Sequence, residues 1–144
     1  MARKKSGGRA DGGLGRVLVV EDDAILALAT EDALREAGAV DVTICSTTAE
    51  ALAALREHKP DAMVLDVHLA DRDDGWAIAE LVSEVGPHPP RIVFSTGAPD
   101  DIPDEIAELG PVLEKPYDRA QLIALLRKPP RESLLARLRE ALNP

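Results

Sequence analysis

Cysteine and aromatic residues are scarce in this chain of 144 residues. Cys45 is the single cysteine, so a disulfide bond within the chain is impossible, and a reducing compartment suits the sequence. The aromatic side chains are Phe94, Trp76 and Tyr117, too few to form a platform on which nucleic-acid bases would stack.

Long apolar runs and an excess of basic residues are also absent from the sequence. No run is long enough to span a bilayer, and no apolar segment follows the basic start as a signal peptide requires. The net charge of −9 argues against a protein that binds duplex nucleic acid. We therefore expect a cytoplasmic protein with no membrane insertion and no direct DNA binding. Its many acids would mark a cation site if some of them converge.

From Arg16 onward, short β-branched segments alternate with helical patterns. Strands are predicted at 17–20, 40–45, 62–65, 92–94 and 112–113. Helices are predicted at 24–37, 48–57, 103–109 and 119–127. A further helix is predicted to begin at Asp74, and its apolar residues Ile78, Leu81, Val82 and Val85 follow the helical period. Buried strands separated by helices indicate an α/β fold, a doubly wound five-stranded parallel sheet with the flavodoxin-like strand order 2-1-3-4-5.

The two ends of the chain differ from this alternating pattern. Residues 1–15 are rich in Gly, Lys and Arg and are predicted to be a flexible N-terminal tail before a domain at 16–128. Residues 129–144 are predicted to form a C-terminal helical extension, whose stripe of leucines needs a surface in this domain or on a partner. The Met start and this extension favour an intact short protein over a piece of a larger kinase or regulator.

Acidic residues follow two strands that should be neighbours in such a sheet. Glu21 and Asp22 come after the first strand, and Asp66 comes after the third. Ligands of open α/β sheets bind beyond the carboxyl ends of the strands, so these carboxylates should converge there. Mg²⁺ is the hard cation that suits such a set. The simpler interpretation, solvated helix caps, is preferred for Asp23 alone.

A hydroxyl and a cation follow the last two strands. Thr96 ends the fourth strand, and Lys115 comes just after the fifth, before a proline. A lysine ammonium can hold a phosphate oxygen or pair with a carboxylate. Together with the acids, these residues supply a nucleophilic carboxylate, a metal site, a hydroxyl donor and a cation, which is the equipment for phosphoryl transfer onto an aspartate.

Four motifs in this order resemble the receiver domains of two-component response regulators. They are VLVVEDD (17–23), MVLDVHL (63–69), VFSTG (93–97) and EKP (114–116), and the resemblance covers residues 16–127. It implies that Asp66 is the phosphoacceptor, Thr96 the switch hydroxyl and Lys115 the phosphate-binding lysine. It also implies that Glu21, Asp22, Asp66 and the backbone carbonyl of His68 form the Mg²⁺ site, with Asp22 a direct ligand.

Several positions depart from the usual receiver pattern. His68 stands where the family often has Asn, Ala70 where it usually has Pro, and the loop to Gly75 is one residue longer. Val112 replaces the Tyr or Phe that rotates on activation in many receivers, and Tyr117 is expected to pack under the last helix instead. The Phe-x-Thr-Gly segment is similar to a subgroup of stand-alone regulators, which serve as phosphate shuttles or interaction switches.

The predicted function is therefore that of a single-domain response regulator and not of a classical enzyme. A sensor histidine kinase or phosphotransfer protein would phosphorylate Asp66 with Mg²⁺, and the loop at 96–103 would carry the change to a downstream protein. One alternative is a pseudo-receiver that binds its partner without phosphorylation. Another is a Mg²⁺-dependent phosphohydrolase of the haloacid-dehalogenase type, which His68 disfavours because that family carries a second Asp there.

Overall fold

The computed structural model describes residues 13–68, 76–84 and 88–127. Strands are β1 (Gly15–Val20), β2 (Ala39–Cys45), β3 (Ala62–Asp66), β4 (Arg91–Thr96) and β5 (Val112–Glu114). Helices are α1 (Ala24–Glu36), α2 (Thr48–Glu57), α3 (Trp76–Ser83), α4 (Asp104–Ala107) and α5 (Arg119–Arg127), with a 3-10 turn at Pro99–Asp101.

The five strands form one parallel sheet in the order β2-β1-β3-β4-β5. This arrangement confirms the predicted doubly wound fold and its strand order. All five carboxyl ends lie at one edge of the sheet, since every pairing is parallel. The residues that follow β1, β3, β4 and β5 are therefore brought to a common edge.

The core has two layers, one on each face of the sheet. On one face, Leu34 of α1 and Leu122 and Leu126 of α5 pack against the sheet. On the other face, residues of α2, α3 and α4 surround Phe94, which is fully buried. Burial of both faces explains why the central strands β1, β3 and β4 carry apolar runs instead of alternating patterns.

Side-chain caps set the beginnings of three helices. Asp23 accepts hydrogen bonds from the backbone N–H groups of Ile25 and Leu26, so it is the helix cap that the sequence favoured. The Thr47 hydroxyl accepts from the backbone N–H of Glu50 at the start of α2. Before α5, the backbones and side chains of Asp118 and Gln121 bond reciprocally.

Some boundaries differ from those predicted. Leu14 is fully buried and Gly15 already belongs to β1, so the folded domain starts before the predicted tail ends. The strands β3 and β4 extend to Asp66 and Thr96, because their ladder pairs Asp66 with Ser95. Polar residues thus form the last positions of β3 and β4, and apolar runs in the sequence do not reveal them.

The helices after β3 and β4 also differ in detail. Leu81, predicted on the apolar stripe of α3, is 52% exposed, while Ile78 and Val82 are buried. The helix predicted at 103–109 is limited to Asp104–Ala107, after a 3-10 turn that the sequence did not indicate. Residues 1–12, 69–75, 85–87 and 128–144 lie outside the described residues, including Ala70, Asp74, Val85 and the predicted C-terminal helical extension.

Arg91, at the amino end of β4, connects the two ends of the described domain. Its guanidinium donates to the carbonyl of Leu126 at 2.6 Å and to the carbonyl of Leu14 at 3.1 Å. One side chain therefore joins the residue before β1 to α5, at the sheet edge opposite the carboxyl ends. Among the described helices, none is long and apolar enough to cross a membrane.

Gly110 offers a test of the packing between the turn after α4 and β4. A Cβ atom at Gly110 would overlap the backbone carbonyl of Ile92, whereas one at Gly97 would meet no heavy atom within 4 Å. We expect Gly110→Ala to lower the free energy of unfolding by about 3 kcal/mol, because backbone must move. Gly97→Ala is the control and should change it by less than about 1 kcal/mol. Urea denaturation measures both; equal effects would contradict the packing.

Candidate functional site

Three carboxylates meet at the carboxyl ends of β1 and β3. Each of Glu21, Asp22 and Asp66 places one oxygen within 4.8 Å of the others. Glu21 and Asp66 are buried, while Asp22 is exposed at the rim. The backbone N–H of Glu21 donates to Cys45 O at 2.9 Å, which extends the β1–β2 ladder up to the acids. The predicted convergence of these three residues is confirmed.

The Lys115 ammonium lies between the two buried acids. Its Nζ is 2.9 Å from Oε1 of Glu21 and 3.2 Å from Oδ2 of Asp66. The residue is positioned by the sheet, because its backbone N–H donates to Thr96 O at 2.8 Å just past the end of β5. Lys115 is followed by a cis peptide bond to Pro116.

Burial and the shared ammonium change the protonation of this group. Burial raises the pKa of Glu21 to about 7, although the hydrogen bond from Lys115 opposes the rise. Burial alone would lower the pKa of Lys115, yet its bonds to Glu21 and Asp66 raise it above the usual value. One ammonium thus faces two buried carboxylates and cannot neutralise both.

Asp66 is held by the chain that follows it as well as by Lys115. The backbone N–H of His68 donates to Oδ1 of Asp66 at 3.0 Å. One carboxylate oxygen therefore faces the backbone and the other faces the ammonium. The imidazole of His68 is directed toward the 3-10 turn, where its Nε2 lies 3.5 Å from Oδ2 of Asp101. The loops after β3 and β4 come together through this pair.

Thr96 is the last residue of β4, and its side chain is fully buried. Its hydroxyl accepts a hydrogen bond of 2.9 Å from the backbone N–H of Ala98. The hydroxyl is therefore connected to the loop that leads into the 3-10 turn. Any movement of Thr96 would act directly on that loop.

The departures from the usual receiver pattern have visible consequences. Val112 pairs with Phe94 in the β4–β5 ladder and leaves no aromatic ring at its position. Tyr117 packs into the layer with Leu122 and Leu126 of α5, as predicted, and its hydroxyl lies 3.4 Å from that of Thr30 on α1. The one tyrosine is thus engaged with α1 and α5.

Sequence reasoning missed Ser95 as a member of this site. It is 1% exposed, it pairs with Asp66 in the β3–β4 register, and its hydroxyl has no hydrogen-bond partner among the described residues. A polar residue inside an otherwise apolar strand was the available signal.

The donor set fits a hard divalent cation. Carboxylate oxygens are the ligands that Mg²⁺ takes in proteins, and it keeps several waters and accepts phosphate oxygens. Two of the acids are buried and share a single ammonium, so added positive charge would relieve their repulsion. Glu21, Asp22 and Asp66 are the residues that would hold such an ion.

Comparison with known proteins identifies the family. Residues 17–127 match the response regulator receiver domain. The chain belongs to this family. The resemblance found in the sequence motifs is thereby confirmed over most of the chain.

Individual relatives agree with this assignment. The chain is 35% identical over 123 residues to the probable transcriptional regulatory protein TcrX of Mycobacterium tuberculosis, covering 83% of this chain and 51% of TcrX. It is 30% identical over 127 residues to the transcriptional regulatory protein PdtaR of the same species, covering 87% and 58%. This receiver chain thus spans about half the length of the curated relatives it matches.

Solved structures with the same fold include two receiver domains. A CheY-like receiver domain from Methylobacillus flagellatus has a TM-score of 0.69 at 27% identity, covering 78% of this chain and 96% of its own. A response regulator receiver protein from Sinorhizobium medicae has a TM-score of 0.62 at 32% identity, with the same coverage of 78% and 96%.

The raised pKa of Glu21 makes stability depend on pH in the metal-free receiver. The folded state favours the protonated acid, so its contribution is complete below the ordinary pKa of 4.5 and is lost as pH rises through about 7. Glu21→Gln removes this ionisation. We expect wild type to lose roughly 2 kcal/mol of unfolding free energy relative to this variant between pH 5 and pH 8.

Urea denaturation in the presence of a chelator, at both pH values, measures the difference. Glu57→Gln, at an exposed acid on α2, is the matched control and should keep the pH dependence of wild type. A wild type whose stability rises relative to Glu21→Gln over this interval would contradict the raised pKa.

Proposed function

We propose that this receiver accepts a phosphoryl group on Asp66 in a Mg²⁺-dependent reaction and passes the signal to a protein partner by a conformational change. The observation that supports this function best is the placement of the Lys115 ammonium against the buried Asp66, beside two further carboxylates. Burying acids around one cation destabilises the resting protein, and such a group is retained where ligand binding uses it.

The donor is a phosphohistidine of a sensor histidine kinase or phosphotransfer protein. An Asp66 carboxylate oxygen forms a bond to phosphorus while the N–P bond of the phosphohistidine breaks. The histidine nitrogen keeps the electron pair of that bond and takes up a proton. Mg²⁺, when bound, supplies positive charge that offsets the negative charge of the acids and the phosphoryl oxygens.

The new phosphate changes what Lys115 and Thr96 contact. Lys115 turns from its two carboxylates toward a phosphoryl oxygen, and the Thr96 hydroxyl donates to another. Since the Thr96 oxygen also accepts from Ala98, its movement draws the following loop toward Asp66. The loop at 96–103 and α4 then carry the change, because Val112 provides no aromatic lever.

This function makes the chain a phosphoacceptor and not a classical enzyme. Water attacking phosphorus later restores the Asp66 carboxylate and releases inorganic phosphate. The proposal includes cytoplasmic residence, a downstream protein target and no direct DNA binding. A backbone ligand to Mg²⁺ from the carbonyl of His68 is also part of it.

The phosphoacceptor assignment is tested by Asp66→Asn. Wild type should gain one phosphoryl group from acetyl phosphate with Mg²⁺, measured by intact mass, and Asp66→Asn should gain none because the amide is not nucleophilic. Asp41→Asn changes an exposed acid of β2 and is the matched control, which should gain one phosphoryl group as wild type does. If folded wild type takes up neither phosphate nor beryllofluoride, the chain is a pseudo-receiver that acts without phosphorylation.

The metal site is tested by two adjacent residues with different roles. Asp22→Asn should weaken Mg²⁺ binding by about 10-fold or more, because it removes a ligand charge. Asp23→Asn is the matched control, since asparagine caps a helix as well as aspartate does, and it should leave the affinity within about 2-fold. Isothermal titration with Mg²⁺ measures both. Equal losses in the two variants would show that overall charge and not ligation controls binding.

A further inference from the structure

The Ser95 hydroxyl is a buried polar group that makes no hydrogen bond to any described residue of the resting receiver. Its residue is 1% exposed, and the oxygen has no hydrogen-bond partner among the described residues. A buried hydroxyl left unpaired costs stability, and alanine in its place would avoid that cost. The polar residue therefore calls for a state in which the hydroxyl is bonded.

The sheet puts Ser95 beside the phosphoacceptor. Ser95 pairs with Asp66 across the β3–β4 ladder and with Leu113 across the β4–β5 ladder. Neighbouring parallel strands lie about 4.8 Å apart, and paired residues direct their side chains to the same face. Two residues earlier, Val64 and Val93 both pack into the layer of α1 and α5, which fixes that face for Asp66 and Ser95.

Lys115 belongs to the same face and contacts Oδ2 of Asp66. It follows Leu113 by two residues, and its Nζ is 3.2 Å from Oδ2 of Asp66 and 2.9 Å from Oε1 of Glu21. Oδ1 of Asp66 already accepts from the backbone of His68. When Lys115 turns to a phosphoryl oxygen, Oδ2 loses the donor that it has in the resting state.

We propose that Ser95 is a positioning residue for this reaction, whose hydroxyl donates to the Asp66 carboxyl group when Lys115 leaves it for the phosphoryl group. This inference rests on the proposed function of Asp66. Ser95 keeps the carboxyl group oriented during the exchange of partners. The hydroxyl is unpaired in the resting state because the ammonium occupies the oxygen that it would serve.

Ser95→Ala tests the inference with beryllofluoride, a phosphoryl mimic, and with Mg²⁺ alone. In the presence of Mg²⁺, the variant should bind beryllofluoride about 5- to 10-fold more weakly than wild type, the effect of one lost hydrogen bond. Its affinity for Mg²⁺ alone should not change. Its thermal midpoint without ligands should rise by roughly 3 °C or more, because an unpaired buried group is gone.

Two further variants separate positioning from packing. Ser95→Thr keeps the hydroxyl on a strand that favours β-branched residues and should restore the affinity for beryllofluoride. Thr30→Val removes another buried hydroxyl, on α1 away from the acids, and should leave this affinity as in wild type.

The outcomes distinguish this inference from the function on which it rests. A Ser95→Ala variant that binds beryllofluoride as wild type does overturns the positioning role and leaves phosphorylation of Asp66 intact. So does a loss that Ser95→Thr fails to reverse, or one matched by an equal loss of Mg²⁺ affinity. If wild type does not bind beryllofluoride with Mg²⁺, the phosphoacceptor proposal fails, and the role of Ser95 fails with it.

Discussion

The attraction between one ammonium and two buried carboxylates governs the organisation of this receiver. Lys115 contacts both Glu21 and Asp66, but a single positive charge cannot neutralise two acids in a site of low polarity. The raised pKa of Glu21 is the direct sign of this imbalance. A site with unbalanced negative charge favours an arriving cation, so the same imbalance that destabilises the isolated domain prepares it to bind one.

The sheet makes this arrangement possible by bringing together residues far apart in sequence. Glu21 follows β1, Asp66 ends β3 and Lys115 follows β5, so three strands must be in register for one contact group to exist. The hydrophobic layers on both faces supply the stability that holds this register. The site therefore requires hydrophobic packing remote from the acids as well as the acids themselves.

Much of the architecture and of the acidic cluster could be predicted from sequence, because both depend on local signals. Apolar runs and capping residues mark the elements, and parallel pairing then directs all strand ends to one edge. Details that depend on register or on tertiary packing could not be predicted this way. Leu14 belongs to the core although it follows a glycine-rich segment, and Leu81 is exposed although it fits the helical period. Ser95 lies beside Asp66 only because two strands align, which periodicity within one strand cannot show.

Strand β4 runs from one edge of the sheet to the other, with Thr96 at the acidic edge and Arg91 at the opposite edge. Thr96 ends the strand at the acids, and Arg91 begins it with bonds to the carbonyls of Leu14 and Leu126. Six residues of extended chain span about 20 Å. A small axial shift or twist of β4 at Thr96 would therefore act, through Arg91, on the carbonyls of both Leu14 and Leu126. The described domain thus has one strand and one side chain that connect the acidic edge of its sheet to the opposite edge, and no aromatic ring takes part in this connection.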